Sequence, residues 1–267
     1  MSDAPSIRRV VPEPAGPTTV AEAYDVARPA DTGRPWLNVC MVATLDGSVT
    51  VDGRSGGLGN ENDRRVLSTL RSLADVVIVG ATTAAGEGYG PPKRAGLRIG
   101  VVTTRGRVDP RSPLFTSGAG FVITCADADV PDGIDTLRAG DRAVDLVAAL
   151  ARLDEVVPGV THVQAEGGPT LNGALFDADL VDEICLTWSP TVVGGSGARL
   201  TRGARSRRLR RRVPRTCSDR STRSRTQRAG SNSWTLPLGR RRAASPRACG
   251  WPSQASRAAP QHCSRRA

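Results

Sequence analysis

Aromatic residues are scarce in this 267-residue sequence: three Phe, two Tyr and four Trp make up 3% of the chain. Any core must therefore be filled by Val, Leu, Ala and Ile, and 39% apolar residues are enough to bury one. Aliphatic filling of this kind suits parallel strands covered on both faces. Histidine occurs only at His162 and His262, and the six cysteines form no C-x-x-C pair. That leaves no visible zinc or disulfide framework, and no metal is expected. Cys40, Cys125 and Cys185 sit inside apolar runs, where cysteine acts as a small buried hydrophobe. No apolar run reaches the ~20 residues of a bilayer span, and the N-terminus lacks the apolar centre of a secretory signal. A cytoplasmic location is expected.

Charge of one sign is missing from the end of the chain. Residues 1–204 carry 19 basic and 25 acidic side chains, a net of −6. Residues 205–267 carry 18 arginines, no lysine and a single acid, Asp219, a net of +17. This segment has no sustained apolar period and is rich in Ser, Pro and Arg, so it cannot offset its chain entropy by burial. A disordered basic tail is expected, and its composition also reads like a frameshifted gene end. A real tail would bind nucleic acid or anionic lipid nonspecifically and with salt dependence.

Between a lead-in segment (1–35) and this tail (205–267), strand-like and helix-like runs alternate through residues 36–204. The run 37–45 is strand-like, a Gly-rich loop with a short strand covers 46–59, and a helix is expected over about 61–73. Strand-like runs follow at 75–81, 97–103 and 118–125, then a helix over about 144–153. A strand at 161–168 ends in Gly-Gly, a helix covers about 169–178, and a long strand at 181–193 bends at Pro190. In the lead-in, a short helix around Val20 to Ala27 follows the cap candidates Thr18 and Thr19. The alternation predicts an α/β domain with a largely parallel sheet.

Three clusters carry chemistry. In A-E-G-G-P-T-L-N-G-A (165–174), a strand delivers Glu166 and two glycines to the start of a helix. Gly167 and Gly168 present no Cβ, and the free N–H groups of the helix start favour a phosphate. A plain tight turn is an equal reading of the glycines alone, and Glu166 is the sharper clue. In A-T-L-D-G-S (43–48), Asp46 is either a pocket residue or a turn-former. In L-R-S-L-A-D-V-V-I-V-G (70–80), a helix bearing Arg71 precedes a buried strand, and a Gly/Thr-rich loop with Thr83 and Glu87 follows. Loops at strand ends in such sheets bind ligands. His162, inside a strand, reads as a structural histidine.

These segments, in this order, resemble the reductase domain of the riboflavin-pathway deaminase/reductase. The resemblance rests on Thr44 to Gly47, the G-x-S of Gly53 to Ser55, Leu70 to Gly80, Glu166 to Ala174, and Val181 to Gly195. It implies a three-layer αβα, dihydrofolate-reductase-like fold with a mostly parallel central sheet. It also implies a homodimeric NADPH-dependent reductase that converts the ribosyl group of a phosphorylated ribosylaminopyrimidine to ribityl. Carried over by motif, Thr83, Glu87, Thr104 and Gly167, Gly168, Pro169, Thr170 and Leu171 fall where the family holds NADPH. Asp46, Ser55, Arg71, Arg94 and Glu166 fall where it holds substrate. No catalytic side chain is assigned, because the cofactor supplies the hydride.

The sequence departs from the family in several places. The usual G-x-S-x-W reads G-R-S-G-G, so a ligand-packing aromatic is missing, and Glu87 replaces the commoner Asp. Arg105 and Arg107 are read either as contacts to a 2′-phosphate or as solvated loop residues. The H-x-E and P-C-x-x-C of the fused deaminase do not occur. After Gly195 no apolar run supplies the strand that normally closes the sheet. Two rivals remain: a dihydrofolate or other pterin reductase on the same scaffold, and a nucleic-acid-binding protein acting through its tail.

Overall fold

In the computed structural model, residues 7–11, 14–28, 33–195 and 197–205 are described. The expectations for 206–267 therefore lie outside the described residues. The chain begins with a hairpin, β1 (Ile7–Arg9) and β2 (Gly16–Thr18), and a short helix α1 (Val20–Tyr24). A full capping box starts α1: the Thr19 hydroxyl accepts from the Glu22 N–H, and the Glu22 carboxylate accepts from the Thr19 N–H. The hairpin escaped the sequence because neither three-residue strand alternates.

The sheet starts with β3 (Trp36–Thr44), followed by α2 (Glu61–Leu73), β4 (Val76–Gly80), a short α3 (Ala81–Gly86) and β5 (Arg98–Val102). Then come α4 (Pro113–Thr116), β6 (Gly120–Thr124), β7 (Thr136–Arg138), α5 (Leu146–Ala151), β8 (His162–Ala165), α6 (Pro169–Asp177) and β9 (Glu183–Ser189). Residues 46–59 hold only the isolated bridge Val51–Arg54 in place of the expected short strand. The last strand stops at Ser189, before Pro190, rather than bending through it.

Seven strands pair in the order β7-β6-β5-β4-β8-β3-β9, and every pairing is parallel. One face carries Leu37, Val39, Val76, Ile78, Val163 and Ala165 against α5 and α6. The alternate residues Val77 and Val79 face α3 and α4, while Cys185 and Leu70 pack with α1. The result is the expected three-layer αβα architecture.

On that second face β8 is polar. The alternation His162, Val163, Gln164, Ala165, Glu166 puts three polar side chains on one side, and all are buried. Asn38 Oδ1 lies 2.8 Å from His162 Nε2, and Leu73 O lies 3.0 Å from Nδ1. Burial, with Arg28 nearby, lowers the His162 pKa. The neutral ring is satisfied when the Asn38 amide is turned over, so that its otherwise partnerless Nδ2 donates to Nε2 while Nδ1–H donates to Leu73. Because the unfolded chain then binds the proton more readily, stability is complete above about pH 6.5 and falls as pH drops toward the depressed folded pKa. The melting temperature should decline between about pH 7 and 5. That slope should flatten in His162→Gln; an unchanged slope would assign it to another group.

Two arginines of the lead-in bind the start of β9. Arg28 pairs bidentately with Glu183 (2.9 and 3.0 Å), which also accepts from Trp36 Nε1 at 3.0 Å. Arg34 pairs bidentately with Asp182 (2.6 and 2.9 Å), which also accepts from the Leu37 N–H. The side chains of Glu183 and Arg28 are 1% and 9% exposed, so removing one partner strands the other in a dry site. Glu183→Ala should cost about 3–5 kcal/mol. By calorimetry that corresponds to a loss of roughly 10 °C in melting temperature.

Candidate active site

From β4 the chain leaves in one direction, through α3 to β5. From β8 it leaves in the other, through α6 and past β3 to β9. The carboxyl ends of β4 and β8 therefore flank a topological switch point, where open α/β sheets leave a crevice. The Gly80 N–H donates to Gly167 O at 2.7 Å across it. The Gly167–Gly168 peptide is cis, and Gly167 has φ +81°, a left-handed conformation suited to glycine. A Cβ at Gly168 would run into Thr83 Oγ1, and one at Gly167 would lie 2.9 Å from Met41 Sδ. Helix α6 then starts with Pro169 at its first position. The N–H groups of Thr170 and Leu171 belong to the turn that has no intrahelical acceptor.

Beside the glycine turn, Glu166 Oε1 accepts from Arg71 Nε (2.7 Å) and Gln164 Nε2 (2.7 Å). Its Oε2 accepts from Arg71 Nη2 (2.6 Å) and the Tyr89 hydroxyl (2.5 Å). The Arg71 guanidinium also stacks 5.4 Å from the Tyr89 ring centroid. Burial opposes the Arg71 charge, but its bonds to Glu166 outweigh that and raise its pKa. Burial first, and the adjacent carboxylate second, push the Tyr89 phenol well above its ordinary pKa, so it stays a donor.

The structure thus brings Arg71 and Glu166 together as an ion pair, with Gly167, Gly168, Thr83 and the α6 start next to them. Thr104 is exposed two residues beyond β5, whose last residue, Val102, pairs with Gly80. Glu87 caps the end of α3 and accepts from the Ser55 N–H at 2.8 Å, joining the G-x-S loop to the Thr83 helix. Arg94 is exposed and donates to Ala74 O, ahead of β4. Asp46 takes the Thr44 hydroxyl (2.5 Å) and the Gly194 N–H (2.8 Å), which hold its carboxyl at a pKa of about 2. It therefore ties the 45–47 turn to the segment after β9, a role beyond turn formation. Arg105 and Arg107 are both exposed.

Tyr89 and Gln164 were not singled out in the sequence. The period-two alternation of β8 was a signal for Gln164; Tyr89, in a glycine-rich loop, carried none. Among the described residues, no three His, Cys, Asp or Glu side chains converge as a metal site, and no helix is long and apolar enough to cross a membrane.

The chain is similar to several known proteins. A 2,5-diamino-6-ribosylamino-4(3H)-pyrimidinone 5′-phosphate reductase from Methanothermobacter thermautotrophicus is 30% identical over 181 residues, covering 62% of this chain and 82% of that protein. The riboflavin biosynthesis protein RibD of Chlamydia trachomatis is 28% identical over 195 residues, covering 64% of this chain and half of its own length. Among solved structures, a pyrimidine reductase-like protein from Corynebacterium diphtheriae superposes with a TM-score of 0.61 at 23% identity, covering 73% of this chain and 93% of that one, which shows a shared fold. The profile of the RibD C-terminal domain matches residues 35–223, a span that includes the switch point and every side chain placed around it, so the chain belongs to the RibD C-terminal domain family.

Proposed function

We propose that this chain is an NADPH-dependent reductase of riboflavin biosynthesis. Its reaction would convert the ribosyl group of 5-amino-6-(5-phosphoribosylamino)uracil, or a close relative, to ribityl. One observation carries the reading: the end of β8 sets a Cβ-free glycine turn at a helix start directly after a carboxylate that is 3% exposed and paired with Arg71. The first fits a dinucleotide phosphate, and the second fits a polar heterocycle. The name of the Methanothermobacter thermautotrophicus relative supports the same substrate class.

When bound, NADPH supplies a hydride. Gly167 and Gly168 let its diphosphate approach the backbone, the N–H groups of Thr170 and Leu171 receive it, and Pro169 starts that turn with no N–H to lose. Thr83, which lies against Gly168, and Thr104 are further cofactor contacts that the resemblance implies. Glu166 accepts a pyrimidine N–H, Arg71 fixes the direction of its carboxylate, and Ser55 borders the pocket through Glu87. Arg94, exposed on the loop after Tyr89, offers its free guanidinium edge to the 5-phosphate. The working form is read as a cytoplasmic homodimer, as the resemblance implies.

A pterin reductase is the weaker reading, because none of the curated relatives reported above carries such a name. The test is to mix the full chain with NADPH and the ribosylaminopyrimidine phosphate. Loss of NADPH absorbance and a product two hydrogens heavier are expected. Folded protein that takes up no NADPH at millimolar concentration would overturn the assignment.

A further inference from the structure

A carboxylate offers about four lone-pair positions. All four are filled at Glu166: two by Arg71, one by Gln164 and one by Tyr89. The Glu166 side chain is also only 3% exposed. An incoming pyrimidine N–H therefore meets a saturated acceptor, and one donor has to give way. Arg71 is charged and bidentate, which makes it the costliest to detach. Gln164 is fully buried on the β8 face and, among the described residues, its Oε1 has no partner, so releasing its amide would strand a second polar atom. Tyr89 is neutral, half-buried, and set between Gly88, at φ +67°, and Gly90. Of the three donors, its bond is the cheapest to give up.

We propose that Tyr89 is a specificity-determining residue of the substrate pocket. Its phenol O–H occupies Glu166 Oε2 and yields that oxygen only to a ligand presenting a ring N–H or amino donor of its own. A sugar phosphate with no such donor leaves the phenol in place. The inference rests on the pyrimidine reductase reading given above. It predicts that the hydroxyl costs substrate affinity while the ring, stacked on Arg71, keeps the pair aligned.

Tyr89→Phe removes the hydroxyl and retains the ring. With the ribosylaminopyrimidine phosphate as substrate, KM should fall roughly tenfold while kcat stays within about twofold, the size expected for one hydrogen bond to a charged group. The dissociation constant of the ribityl product, titrated without turnover, should fall in parallel. NADPH affinity and weak inhibition by ribose 5-phosphate should not move. An unchanged KM would show that substrate does not use the oxygen Tyr89 holds, and a raised KM would make the phenol a substrate ligand. Either result overturns the proposal, as does a fall in kcat accompanied by altered NADPH binding. Failure of the reductase reading looks different, because wild type and variant would then both be inactive.

Discussion

Gly168→Ala is expected to weaken NADPH binding by about a hundredfold, read by titration of the cofactor's fluorescence. The new methyl group meets Thr83 Oγ1. Thr83 is β-branched and sits on a helix, so its χ1 has little freedom to swing away. Overpacking of this kind costs about 1–3 kcal/mol on its own. The collision acts next to the Gly80–Gly167 hydrogen bond and so moves the turn that delivers the α6 N–H groups. Gly168 itself has φ −77°, a value open to alanine. Adding Thr83→Ala removes the clashing oxygen and should recover the melting temperature, while affinity stays low because the methyl still fills the approach to the backbone. Wild-type affinity in the single variant would place the cofactor phosphate elsewhere.

Glu166→Gln should lower kcat/KM by about a thousandfold with NADPH affinity retained. The amide keeps the shape of the side chain but loses the charge that faces Arg71, and its NH2 points at groups that are already donors. Breaking a buried pair from one side costs about 3–5 kcal/mol, and the 28% exposure of the Arg71 side chain reduces the share felt as lost stability. Arg71→Met alone should also destabilise the protein. The double variant should be more stable than the two single effects predict, because neither charge is left alone. Its activity should stay low. A Glu166→Gln enzyme with near-normal kcat/KM would remove the carboxylate from the substrate site.

Much of the sheet was legible because its strands are buried on both faces and read as short apolar runs. Val76–Gly80 and Gly120–Thr124 are examples. Helix α2 was legible from its composition, and Asn60 supplies its cap by accepting from the Asp63 N–H. Other elements gave no such signal. Strand β7 is three residues set in a run of Asp and Gly, and α3 is built from Ala and Thr between glycines, so tertiary packing decides both.

At the site, local chemistry marked the glycine turn, but the partners of its neighbours are remote. Arg71 and Glu166 stand 95 residues apart, and Arg28 and Glu183 stand 155 apart. No periodicity links such pairs. The resemblance placed Arg71 where substrate is held, and the fold commits it to a carboxylate. The Val-Asp-Glu run at the start of β9 was legible as a family motif, but its physical task, receiving two arginines from the lead-in, was not.

The order of the strands has a further consequence for how the chain matures. β3 is the first strand of the large sheet to emerge during synthesis, yet both its neighbours come from the far end of the chain, at His162–Ala165 and Glu183–Ser189. Until about 120 more residues are made, the apolar segment Trp36–Thr44 has no edge to join. Strands β4, β5 and β6 can pair successively in the meantime. Closure is thus dominated by contacts of long sequence separation, which slow folding and leave an aggregation-prone strand waiting for chaperone cover.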